Sequence, residues 1–208
     1  MDRERLADVC GSLPIFPLPD AVLLPGMVMP LHVFEPRYRE LIDHIRQRTQ
    51  IFGIATLAGE PEGAGVAPIH PEIGVGMLVG NQSLPDGRSN VLVQHLAAAR
   101  QVRELPSPFG FRLVEAALMP ESEPARDAVR RLRMLVLQLG SLRSEAEEEA
   151  AALSQLGDNE LVDGLARRVL AEADDRRAYL AADQRGRVAL VQHRLADFLT
   201  HTASRAEA

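Results

Sequence analysis

The 208-residue chain contains no lysine and no tryptophan, and only one cysteine. All 23 of its basic residues are therefore arginine, whose guanidinium does not give up its proton in a protein. Within this chain, that excludes a serine–lysine dyad, the phosphate-holding lysine of a Walker A loop and a pyridoxal Schiff base. The lone thiol, Cys10, excludes an internal disulfide framework and points to a reducing compartment. Aromatic residues amount to 4%, the net charge is −6, and the arginines are dispersed. A nucleic-acid interface needs a basic face interleaved with aromatics, so no nucleic-acid partner is expected. Long hydrophobic runs are missing too. The longest, from Ala21 to Phe34, is cut by Pro25, Gly26 and Pro30 and falls short of the ~20 residues a membrane helix requires. No membrane partner is expected. The N-terminus, MDRERLADV, places charges where a secretory signal carries its apolar segment, so the expected location is cytoplasmic.

Several catalytic signatures are also lacking. There is no G-x-x-x-x-G-K-[ST], no G-x-S-x-G and no H-E-x-x-H. The six histidines, His32, His44, His70, His95, His193 and His201, form no metal spacing with one another or with Cys10. Cys10 falls in an N-terminal segment expected to be loose, without a cationic neighbour or helix start to activate it. No metal, cofactor or enzymatic activity is expected. Gly74, Gly76 and Gly80 have the wrong spacing for a dinucleotide loop and read as strand glycines, permitting close backbone approach or a bend.

What is present begins with strands. Ile15 to Leu18, Val22 to Leu24 and Val28 to Val33 are short apolar pieces separated by prolines, as at edges and bends. Pro36 suits the first turn of a helix, and Tyr38, Leu41, Ile42 and Ile45 then form one apolar stripe. Ile51 to Leu57 reads as a strand, and Gly59 to Gly65 as a loop. Ile73 to Leu84 and Ser89 to Leu96 flank Pro85-Asp86-Gly87-Arg88, a hairpin turn. Gln101 to Leu105 and Phe111 to Met119 are two further strands. After Pro120 the period becomes helical. Val129, Leu132, Val136 and Leu139 mark one helix, and Ser144-x-x-Glu147 is a capping box before the next. Asp158, Asp174 and Asp183 are expected to cap three more, the last bearing Val188, Val191, Leu195 and Phe198. Two domains follow, 1-120 rich in strands and 121-208 helical. The acidic run EAEEEAA reads as a solvated helix face.

The segment Leu13 to Ile42, LPIFPLPDAVLLPGMVMPLHVFEPRYRELI, followed by the strand to Leu57 and the hairpin PDGRSNVLV, resembles the N-terminal substrate-binding domain of Lon proteases. The resemblance covers nearly the whole chain, with the helical part alike only in pattern. It implies an α+β fold, a PUA-like β pseudobarrel followed by a C-terminal α-helical bundle. It also implies a non-catalytic module that recognises unfolded or tagged polypeptide, an adaptor or regulator working with a protease. Nothing here resembles the ATPase or peptidase parts, so a freestanding domain is expected. Where the family carries a glycine and an Arg-Phe pair after the hairpin, this chain reads HLAAARQVRE. The expected recognition residues are Glu35, Arg37 and Tyr38 in the FEPRYRE helix start, together with His95 and Arg100 in the altered strand. From the residues alone, Glu35, Arg37 and Tyr38 also read as a turn locked by an ion pair and a buried ring. Two alternatives stand beside the polypeptide reading: an RNA-binding PUA-like protein, and a hydrolase with an unrecognised site.

Overall fold

A computed structural model describes residues 2–60, 66–121, 123–141 and 147–206. The chain divides into two compact units, Met1–Met119 and Pro120–Ala208. The first contains helix α1 (Arg3–Cys10), strands β1 (Leu13–Leu18) and β2 (Val28–Val33), helix α2 (Pro36–Arg46), and strands β3 (Ile51–Leu57), β4 (Ile69–Ser83), β5 (Ser89–Leu105) and β6 (Arg112–Leu118). β1 lies parallel to β3 and antiparallel to β6; β3, β4 and β5 follow in antiparallel order, and the far half of β5 pairs back onto β6. That ring of ladders closes a barrel. β2 stands outside it, antiparallel to the first half of β5.

The continuous apolar runs of β1 and β3 follow from burial on both faces. Leu13, Ile15, Ile51 and Ala55 enter one core cluster, while Phe16, Phe52 and Ile54 enter another with the Tyr38, Leu41, Ile42 and Ile45 stripe of α2. Pro36 occupies the first turn of α2, as expected. The hairpin also forms as read. Gly87 N–H donates to Leu84 O (3.0 Å), Leu84 N–H donates to Arg88 O (2.8 Å), and Gly87 takes φ +80°. This is a type I turn closed by a glycine bulge.

Three expectations fail in this unit. Val22, Leu23 and Leu24 are buried but pair with no strand; they form a rope held by Thr56 Oγ1, which donates to Ala21 O at 2.7 Å. The rope ends in a type II turn, in which Met27 N–H donates to Leu24 O (3.1 Å) and Gly26 takes φ +69° behind Pro25. Apolarity here signals burial, without the free edge a strand needs. Residues 89–105 form one strand where two were expected, because bulges let a single strand bend from β4 to β6 without a break. Cys10 ends α1 fully buried, so the segment is not loose, and burial pushes its thiol up to about 11.

The second unit consists of α3 (Arg126–Ser141), α4 (Glu147–Ser154), α5 (Asp158–Val169), α6 (Ala173–Ala181) and α7 (Gln184–Ala206). The stripes Val129–Leu132–Val136 and Val188–Val191–Leu195 are buried, as expected. Asp183 caps α7, its Oδ1 accepting from Gly186 N–H at 2.8 Å. The other two caps differ. Gly157 holds the N-cap of α5 and Glu172 that of α6, so Asp158 and Asp174 lie in first turns, where a carboxylate favours the helix dipole. The Ser144–Glu147 capping box, part of the Gly59–Gly65 loop, and the side chains of Leu139 and Phe198 lie outside the described residues. Among those described, no helix is long and apolar enough to cross a membrane.

Candidate functional site

The start of α2 brings together three of the five expected recognition residues. Arg37 Nε donates to Glu35 Oε2 at 2.9 Å, and its guanidinium carbon sits 4.6 Å from the Tyr38 ring centroid. Tyr38 itself is buried and stacked on Phe16 at 3.9 Å, with its hydroxyl 3.4 Å from Pro17 O. Burial pushes its phenol up. The ion pair and buried ring thus form a structural lock, and of this group only Glu35 and Arg37 reach solvent. His95 and Arg100 lie apart from it on β5. His95 is half-buried, and Arg100 pairs with Glu72 at 3.2 Å. Ala97, Ala98 and Ala99 between them are buried.

A different surface of the barrel unit carries the more unusual combination. On β2 the even residues Val28, Pro30 and His32 are exposed, and Phe34 follows them. They stand opposite Gln94, Leu92 and Asn90 of β5, which in turn pair with Met77, Gly80 and Gln82 of β4. Val28 (48% exposed), Phe34 (59%) and Leu92 (44%) are large apolar side chains left in water. A groove of about 610 Å³ runs over Pro30, Leu92 and Gly80. A Cβ on Gly80 would lie 3.2 Å from Leu92, so the glycine keeps this floor open. At one end a polar row crosses all three strands. His32 Nδ1 and Asn90 Oδ1 are 2.7 Å apart, and Asn90 Nδ2 donates to Gln82 Oε1 at 3.4 Å. The His32 ring stacks 6.1 Å from Phe34.

None of the nine residues lining the groove is Asp, Glu or Arg, in a chain with 25% charged residues. An open apolar face of this kind is a candidate binding surface. Sequence reasoning missed it, although the alternation in VMPLHVF, with proline on the exposed phase, carried the signal. The arrangement can hold an apolar or neutral ligand by contact and hydrogen bonds. Among the described residues, no group of three His, Cys, Asp or Glu stands where it could hold a metal ion.

More than half of the barrel unit's ten arginines pair with a carboxylate. They are Arg37, Arg46, Arg88, Arg100, Arg103 and Arg112, the last through two bonds to Glu104 at 2.7 and 2.6 Å.

The family described as ATP-dependent protease La (LON) substrate-binding domain matches residues 12–204. The Lon protease of Salinispora arenicola is 32% identical over 159 residues, 72% of this chain and 19% of that protein. The Lon protease of Geobacter metallireducens is 27% identical over 190 residues, 86% of this chain and 22% of that protein. The chain thus spans about a fifth of the length of these relatives. Among solved structures, the N-terminal domain of Mycobacterium avium complex Lon protease superposes with a TM-score of 0.69 at 18% identity, covering 89% of this chain and 98% of that one. A Lon N-terminal domain protein from Xanthomonas campestris gives 0.63 at 20% identity, covering 88% and 97%. At these identities the two structures speak to the fold.

Proposed function

The chain belongs to the Lon substrate-binding domain family, and on that premise we propose that it is a non-catalytic module that recognises unfolded or tagged polypeptide through the outer β2–β5–β4 face. As an adaptor or regulator, it would present such chains to a protease. The observation that carries this reading is the uncharged, partly apolar groove bordered by exposed Val28, Phe34 and Leu92. Unfolded chains differ from folded ones in displaying apolar side chains and unpaired backbone groups, and this face offers complements to both. RNA binding draws no support from a barrel whose arginines are mostly tied to carboxylates.

The test is a titration of a labelled, permanently unfolded polypeptide, followed by fluorescence anisotropy. Binding at tens of micromolar, roughly −6 kcal/mol, is expected, and Leu92→Glu should abolish it while leaving the barrel folded. An absence of binding at several hundred micromolar would end the reading.

A further inference from the structure

Resting on that reading, we propose that the polypeptide binds as an added strand on the open edge of β2, and that the segment taken is extended and uncharged. The register supports the first half. His95 N–H donates to Met27 O at 3.0 Å, extending the ladder that pairs Val28 with Gln94 and Val33 with Ser89. In an antiparallel ladder, hydrogen-bonded and non-bonded pairs alternate. Met29, Leu31 and Val33 therefore direct their backbone groups at β5, whereas Val28, Pro30 and His32 direct theirs at the opposite edge. Among the described residues no strand covers that edge.

Pro30 falls on the outward phase, where its missing N–H costs the sheet nothing. The edge thus offers three carbonyls, at Val28, Pro30 and His32, and two amides, at Val28 and His32. A proline on an edge blunts uncontrolled strand pairing. Here it leaves enough donors and acceptors at the flanking positions to dock one extended chain.

The side chains supply the second half. The residues that turn their backbone to the edge also send their side chains to the groove face, so an added strand would extend that face beyond β2. Its side chains on that face would settle against Val28, Pro30 and His32, the neighbours one strand away. A charged side chain placed there would lose water and find no opposite charge, since no lining residue carries one. Serine, threonine, asparagine and glutamine would find His32, the outer end of the His32–Asn90–Gln82 row.

The experiment uses the whole chain and a fluorescein-labelled ten-residue peptide of valine, threonine, asparagine and glutamine. His32→Ala keeps the outward amide and removes the ring; His32→Pro removes both. Wild type and His32→Ala should bind within about threefold of each other, while His32→Pro should lose roughly tenfold, the effect of a net backbone hydrogen bond. Versions of the peptide with glutamate or arginine at the threonine positions should bind about tenfold more weakly. In the unsubstituted protein, hydrogen exchange of the Val28 and His32 amides should slow when the peptide is present, a readout independent of whether His32→Pro folds. Equal binding by His32→Pro and His32→Ala, or unchanged exchange at both amides, would overturn strand addition while leaving polypeptide recognition standing. A wild-type protein that binds no unfolded chain would remove both. A micromolar homodimer abolished by His32→Pro would assign the edge to a second copy and overturn the proposal.

Discussion

Gly74 shows how one absent side chain positions a whole segment. A Cβ there would lie 2.6 Å from Leu23 O and 2.7 Å from Leu23 Cβ, and a backbone atom cannot swing aside as a flexible side chain could. Thr56 holds the same rope from its other end through Ala21 O. Gly74→Ala should therefore cost about 2–3 kcal/mol, the range of an overpacked core, seen as a lower denaturant midpoint at unchanged slope. The close approach was legible in the sequence, because a glycine inside a strand asks for a neighbour where a Cβ would be. The identity of that neighbour was not, since Leu23 is 51 residues away and contact is decided by the fold. Tyr38 illustrates the same limit at the candidate site. Its place in an apolar stripe announced burial, and the recognition role was a second reading of the same FEPRYRE segment.

At the scale of elements, local chemistry read well and long-range continuity read poorly. Proline, aspartate and glycine specify the β4–β5 turn among themselves, so that hairpin could be read from four residues. Whether 89–105 is one strand or two depends on partners far away: Gly74 opposite Ala98, Leu118 opposite Ala99. Helix starts were misplaced for a related reason. Asp158 has a good capping side chain, but it is taken up elsewhere, by Arg133 Nη2 at 3.0 Å. The same guanidinium donates to Leu156 O at 3.0 Å and to Ser154 O, satisfying carbonyls left unpaired at the end of α4. Arg133 thus joins the end of one helix to the start of the next. Arg133→Ala should cost about 1–2 kcal/mol, discounted for a side chain still 26% exposed. Hydrogen exchange should quicken first in the last turn of α4.

Taken as a whole molecule, the chain places its open apolar face in the barrel unit and a buried tyrosine–aspartate pair in the helical one. Tyr179 is fully buried and donates to Asp163 Oδ1 at 2.6 Å, with Arg187 5.2 Å from the ring centroid. Burial is the main influence on Asp163 and raises its carboxyl; the Tyr179 hydrogen bond, then Arg187 and Arg167, pull the other way without cancelling it. The folded state therefore holds this proton more tightly than the unfolded chain, whose aspartates titrate near 4. Stability from this group is complete below about pH 4, falls as pH rises through the folded value, and is gone above it. Asp163→Asn keeps the hydrogen bond from Tyr179 and removes the titration. The variant should match wild type in acid and become relatively more stable as pH rises, as measured by hydrogen exchange of α5 and α6 amides between pH 4 and 7. If the two units unfold independently, as separate domains 1-120 and 121-208 would, exchange in the barrel amides will be the same in both proteins at every pH. A shift that spreads into β3 or β4 would mean that a helical carboxylate is coupled to the barrel unit, and the two units would then have to be treated as one cooperative structure.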